Sequence, residues 1–200
     1  MTPEIVTRLP AADLERLAVL HRTSLPRSIL SVMGQAAVVR YYRQVIASPT
    51  ELVAIARNDL GMIDAGVVVS RTPGTLLRRF AAAAPVALAT ELGRNLLLSS
   101  DLRRRFVRRL RESEPHGTEG LPELVQIFTD ASLRGRGIGA DLVSSCEDAL
   151  RRGGVPAYVI RTHRDGNEAG IRFYTRLGFT ILGETRSFGD YYVVMKKELR

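Results

Sequence analysis

Leu124-Val125-Gln126-Ile127-Phe128-Thr129, the link Asp130-Ala131-Ser132-Leu133, and then Arg134-Gly135-Arg136-Gly137-Ile138-Gly139-Ala140 decide how this chain is read. The first run is apolar and rich in β-branched and aromatic residues, as a strand requires. Glycines at alternate positions then let the backbone turn tightly and approach a ligand with no Cβ in the way. An amphipathic helix follows through Arg152. Its first N–H groups lack partners within the helix and lie at the positive end of the helix dipole, so the turn suits a phosphate. Taken alone, the same pattern also serves helix packing. No Gly-Lys-Ser/Thr follows it, which argues against a Walker-type loop, and its spacing departs from the dinucleotide fingerprint.

Working outward, Ala157 to Arg161 reads as a strand and Asn167 to Leu177 as a helix. Thr180 to Gly183 and Tyr191 to Met195 read as closing strands. Towards the N-terminus, Glu4 to Leu9 alternates as a strand. Pro10 ends it, and Asp13 is expected to cap a helix carrying Leu14, Leu17, Ala18 and His21. A second helix places Val38, Val39, Tyr42, Val45 and Ile46 on one face, so two helices are expected before the second strand. Leu52 to Ala56 and Ile63 to Val69, joined by Asn58-Asp59-Leu60-Gly61, read as a hairpin. Residues 74–120 differ in character and read as a helical insertion. Within it, Leu102, Phe106, Val107 and Leu110 share a helical face, with arginines from Arg103 to Arg111 around the others. The chain is expected to be one domain, residues 1–200.

Two hundred residues, 45% hydrophobic and 25% charged, suit one such domain. No apolar run reaches the about 20 residues of a membrane span. The first residues show no charged start followed by an apolar block, so the expected location is cytoplasmic. The lone Cys146 forms no internal disulfide, and no Cys/His spacing suggests a metal. A net charge of +8 suits a polyanion without choosing one. All but Lys196 and Lys197 of the 29 basic residues are arginine, which a genomic bias would equally produce.

Arg134, Gly137 and Gly139 match Gln/Arg-x-x-Gly-x-Gly/Ala, and Asn167 to Phe179 is similar to Asn-x-x-Ala-x-x-Phe-Tyr-x-x-x-Gly-Phe. With these two motifs in order, the chain resembles the GNAT N-acetyltransferase superfamily. The resemblance implies an α/β (α+β) GNAT fold. This is a mixed, mostly antiparallel central sheet of six or seven strands flanked by helices, with the insertion between strands three and four. It implies acetyl-CoA as co-substrate and direct attack of a neutral amine on the thioester, through a tetrahedral oxyanion. The cofactor-binding residues would be Ile127, Phe128 and Thr129 along the strand, then Arg134, Gly135, Arg136, Gly137, Ile138, Gly139 and Ala140 in the turn, with Asn167 and Tyr174. Tyr174 would also be catalytic, protonating the departing sulfur as a phenol with an ordinary pKa of about 10. Asn167 could equally be a helix N-cap.

No motif fixes the base that takes the proton from the amine. His21 and Glu123 are the first candidates, with Gln126, Asp130 and His163 also able to face the gap beside the strand. His21, Tyr41, Gln126 and His163 are candidate acceptor-binding residues. The expected acceptor is a primary amine of a small molecule, with an amino sugar or nucleotide-linked amino sugar first. A protein or peptide amine, or an antibiotic, is the alternative. No nucleic-acid partner is expected. A non-enzymatic alternative is an anionic-membrane or nucleic-acid binding module with a vestigial acyl-CoA site, and peripheral membrane contact stays open. The expected state is a monomer or homodimer.

Overall fold

The computed structural model describes residues 1–26, 28–83, 118, 120–187 and 190–199. In chain order they form β1 (Pro3–Ile5), α1 (Ala11–Ser24), α2 (Ile29–Met33), α3 (Gln35–Ala47), β2 (Glu51–Arg57), β3 (Ile63–Ser70) and α4 (Pro73–Ala83). There follow β4 (Glu123–Thr129), a 3-10 turn at Ala131–Leu133, α5 (Ile138–Arg152), β5 (Ala157–His163), α6 (Glu168–Arg176), β6 (Thr180–Ser187) and β7 (Asp190–Glu198). The strands form one seven-stranded sheet in the order β1-β2-β3-β4-β5-β7-β6. Neighbours are antiparallel except β4 and β5, which run parallel.

Alternation along each strand divides the core into two layers. Val53 and Ile55 of β2 and Val68 of β3 pack with Leu17, Val38, Tyr42 and Val45 from α1 and α3. Ala54 and Ala56, with Ala65, Val67 and Val69, take the opposite face and meet Leu142, Val143, Cys146 and Leu150 of α5. Both helix layers thus bury one apolar stripe against a sheet that is apolar on both sides.

The sheet is interrupted at its centre. The parallel pairing of β4 and β5 consists of Glu123 with Val159 and Leu124 with Ile160. Beyond it, β4 stays with β3 as far as Thr129 opposite Ala65, and β5 stays with β7 as far as His163 opposite Tyr192. The two strands therefore part from Val125 onward. The parting begins at a bulge: Leu124 faces Val69 and Gln126 faces Val68, leaving Val125 as the extra residue. A bulge of this kind bends its strand and re-aims side chains. Val125 and Phe128 join the α1/α3 core, whereas Leu124 and Ile127 belong to the α5 side.

Three local expectations are corrected. The first strand ends at Ile5 rather than Leu9, since its pairing with β2 runs only from Pro3 to Ile5. Asp13 does not cap α1: Pro10 holds that position, and the Asp13 carboxylate accepts from Arg57 at 2.6 Å. Three helices, not two, precede β2, because Gly34 at φ +102° separates α2 from α3. Of the segment 74–120, the first part lies in α4; residues 84–117 and 119, with the arginine-rich run, lie outside the described residues. Among the described residues no helix is long and apolar enough to cross a membrane.

Gly66 of β3 sits under the Phe128 ring, where a Cβ would meet Phe128 Cζ at 2.8 Å and Leu17 Cδ2 at 3.3 Å. Both neighbours are buried, so neither gives way cheaply. Gly66→Ala is expected to destabilise the protein by about 1–3 kcal/mol through overpacking. Denaturant unfolding measures this, and a variant as stable as wild type would show that Phe128 can move.

Candidate active site

The glycine turn is built from the end of β4. Asp130 accepts from the Ser132 amide at 3.1 Å and the Ser132 hydroxyl at 2.7 Å, closing the 3-10 turn. Those bonds, with Arg16 nearby, hold the Asp130 carboxyl below its usual range. Gly135 and Gly137 then adopt φ +77° and +84°, the left-handed region open to residues without a Cβ. Gly137 is the N-cap of α5, and its carbonyl accepts from the Ala140 and Asp141 amides. The amides from Gly135 to Gly139 donate to no carbonyl among the described residues. Gly139 allows close packing, since its Cβ would stand 3.4 Å from Phe173 and 3.8 Å from Ile127.

A cleft of about 600 Å³ lies against this turn. Ile127, Phe128, Thr129, Arg134, Gly135, Gly137, Ile138, Gly139 and Ala140 line it, so the strand end and the turn are brought together. Arg136 is exposed on the same turn without lining the cleft. Free amides, a helix N-terminus and an arginine fit a pyrophosphate, and the adjoining strand end and apolar wall fit the arm that would extend from it.

The sequence reading missed Ser24, Leu133, Phe173, Arg176 and Leu177 on the cleft wall. Phe173 and Leu177 stand four apart in the second motif, on one helix face, which is a signal that could have found them. Ser24 has no local signal. It arrives because α1 crosses the end of β4, where its hydroxyl reaches the Thr129 carbonyl at 3.5 Å.

Tyr174 is buried, its ring edge-on to Phe173 and Phe179. Burial pushes its pKa well above the ordinary phenol range. Its hydroxyl has no partner among the described residues, yet is not sealed from solvent. Asn167 occupies the N-cap position of α6 without capping it; its amide instead donates to Thr162 Oγ1 at 2.6 Å and to the His163 carbonyl at 3.3 Å. Gly170 makes room for this, because a Cβ there would lie 2.6 Å from the Asn167 amide.

The remaining candidates separate into two groups. His21 is fully buried between Tyr42, whose hydroxyl lies 2.8 Å from Nδ1, and Ser28, whose hydroxyl lies 2.8 Å from Nε2. The Tyr42 hydroxyl in turn donates to Gln126 Oε1 at 3.2 Å. His21 and Gln126, on α1 and β4, are thus joined through α3. Glu123, by contrast, is committed to a two-point ion pair with Arg161 at the foot of the gap. His163 stacks on Tyr192 with ring centroids 4.5 Å apart. Tyr41 lies inside the helix layer against Tyr42 and Phe80, away from the cleft wall, and its buried hydroxyl has no partner among the described residues. Burial pushes the Cys146 thiol up to about 12, as suits a packing residue rather than a nucleophile.

Residues 106–179 match the model of the acetyltransferase (GNAT) family. They contain both the glycine turn and the Asn167 to Phe179 segment. Over that segment the chain is similar to the GNAT acetyltransferases. Solved structures share the fold at low identity. An aminoglycoside 6′-N-acetyltransferase complexed with coenzyme A is 13% identical, with 100% of this chain and 98% of that one covered and a TM-score of 0.66. Another acetyltransferase is 18% identical over 100% of both chains, with a TM-score of 0.64. The PaiA N-acetyltransferase of Thermoplasma acidophilum, in complex with coenzyme A, is 16% identical over 99% of both, with a TM-score of 0.58. No curated protein matches the chain by sequence.

Two outcomes follow from this geometry. Gly137→Glu puts a long, negatively charged side chain at φ +84°, where any Cβ is strained, beside the free amides. Thermal protection by millimolar coenzyme A is expected to disappear, while wild type keeps it; retained protection would move the pyrophosphate elsewhere. For His21, burial lowers the pKa to about 4, against about 6.5 in the unfolded chain. The unfolded state therefore takes up the proton first, and the stability that the neutral ring contributes above pH 6.5 is lost as pH falls towards 4. The loss is about 3 kcal/mol. Denaturant unfolding at pH 7, 5 and 4 should show it in wild type and not in His21→Gln.

Proposed function

We propose that the chain transfers an acetyl group from acetyl-CoA to the primary amine of a small molecule, with an amino sugar or nucleotide-linked amino sugar as the first candidate. The observation that carries this reading is the meeting of the glycine turn with the parted end of β4. The cleft accounts for a phosphate-bearing acyl donor, and the acceptor would enter where β4 leaves β5, next to Gln126. We read residues 1–200 as one domain in which 74–120 is an insertion. The cleft supports that reading, because its wall draws on α1, β4, α5 and α6.

In this mechanism the turn amides and Arg134 hold the pyrophosphate, and Ile127 to Thr129 align the arm so that the thioester lies at the gap. The bound acetyl-CoA supplies an activated acyl group, and holding it beside the amine provides much of the rate. Tyr174 donates the proton that the departing sulfur needs. Burial keeps its phenol protonated, and its unpartnered hydroxyl is available to a ligand. His21, neutral at pH 7, positions Gln126 through Tyr42 at the acceptor side, and the proton that the amine loses on forming the amide passes to solvent. Glu123 is set aside as base, because its carboxylate already answers Arg161.

A fold neighbour named for acetylating aminoglycosides, which are amine-bearing sugars, is in keeping with this acceptor class. The test is thiol release from acetyl-CoA with a panel of amino sugars, simple amines and lysine peptides. Amino sugars are expected to give the highest kcat/KM. Tyr174→Phe should lower kcat by about 10²-fold or more with little change in coenzyme A affinity. Equal turnover by the variant would remove its acid role, and preference for peptides would move the acceptor to protein amines.

A further inference from the structure

Ser31 of α2, Ser28 before it, His21 of α1, Tyr42 of α3 and Gln126 of β4 form one continuous hydrogen-bonded line. Successive distances are 2.9, 2.8, 2.8 and 3.2 Å. Each hydroxyl has one proton to give, and a neutral imidazole has one N–H. With Ser28 donating to Ser31 and Tyr42 donating to Gln126, neither hydroxyl has a proton left for His21. Both ring nitrogens would then have to donate, as only an imidazolium can, and the buried ring is neutral at pH 7.

One end of the line must therefore turn. At the serine end a hydroxyl rotation is enough. At the other end the whole Gln126 amide would have to rotate and donate its N–H to Tyr42. The smaller rearrangement puts the ring proton on Nδ1 of His21, lets Ser28 donate to Nε2, and keeps Tyr42 as donor to Gln126 Oε1. The Gln126 Nε2 group is left with two N–H donors, no partner among the described residues, and access to solvent. Gln126 is also the residue just past the bulge, where β4 has left β5.

We propose that Gln126 reads the acceptor: its Nε2 group donates to an oxygen on the carbon next to the amine, and Tyr42, set by His21, holds the amide in that orientation. This rests on the reading of the chain as an acetyltransferase whose acceptor enters at the gap. The acceptor class becomes a vicinally oxygenated amine, an amino alcohol or amino sugar, as opposed to a plain alkylamine or a lysine side chain.

The experiment measures thiol release by the full chain at saturating acetyl-CoA with matched amines: glucosamine against cyclohexylamine, and 2-aminoethanol against propylamine. The oxygenated member of each pair is expected to have a kcat/KM about tenfold higher. Gln126→Leu and Gln126→Glu should both erase that preference, with the apparent KM for acetyl-CoA unchanged within about twofold. The glutamate variant separates the roles, because its carboxylate still accepts from Tyr42 but cannot donate. Persistence of the preference in Gln126→Glu, or its absence in wild type, overturns the assignment. Independently of any variant, long-range ¹H–¹⁵N spectra of wild type should place the His21 proton on Nδ1; a proton on Nε2 overturns the orientation. Coenzyme A protection without turnover of any amine would overturn the acetyltransferase reading itself, whereas equal turnover within each pair overturns the Gln126 assignment alone.

Discussion

β4 and β5 are held together at Glu123–Val159 and Leu124–Ile160, and then they separate. A parallel pair that stops after two residues leaves backbone groups along both strands without a neighbour, inside a sheet whose other pairs continue. Such groups need partners or solvent. On β4 the unpaired edge runs from the bulge at Val125 to Thr129, beside the cleft and the glycine turn. The arrangement is secured from below by the Glu123–Arg161 ion pair and from either side by the two helix layers.

The bulge also explains why one short strand serves both faces of the molecule. Without the extra residue, Gln126 would share a face with Leu124 and point into the α5 layer. With it, Gln126 shares a face with Val68 and meets Tyr42, while Ile127 returns to the cleft side. Phe128 then stands against His21 and Tyr42, over the only atom-sized allowance that Gly66 can give. The cleft face and the Tyr42 face of β4 are therefore set by one register shift. Burial sets the protonation of both residues: His21 stays neutral and Tyr174 stays protonated because the charged form of either would be poorly solvated.

Much of this was legible in the residues. The glycine turn, the strand before it and the helix after it have local causes, namely freedom at positive φ, β-branched and aromatic content, and 3.6-residue periodicity. Arg134 to Ala140 were found for those reasons and Ile127 to Thr129 through the family resemblance, and all but Arg136 line the cleft. The resemblance to the GNAT acetyltransferases followed once a second local pattern, Asn167 to Phe179, stood beside the first. The errors were also local: Asp13 suited an N-cap by type but was taken by Arg57 from β2, and Gly34 broke a helix that apolar spacing alone would have continued.

The sequence by itself determined most of the elements, their order and the glycine turn, because each is specified by residues within a few positions of one another. Only the tertiary structure decided which polar groups are spent and which are free. Glu123 is spent on Arg161, 38 residues away, and Tyr41 is sealed in the core. Ser24 reaches the cleft across 105 residues of chain. His21 and Gln126 are joined through Tyr42 because three elements distant in sequence converge at the bulge. Such pairings depend on packing and register, which a periodic pattern does not encode.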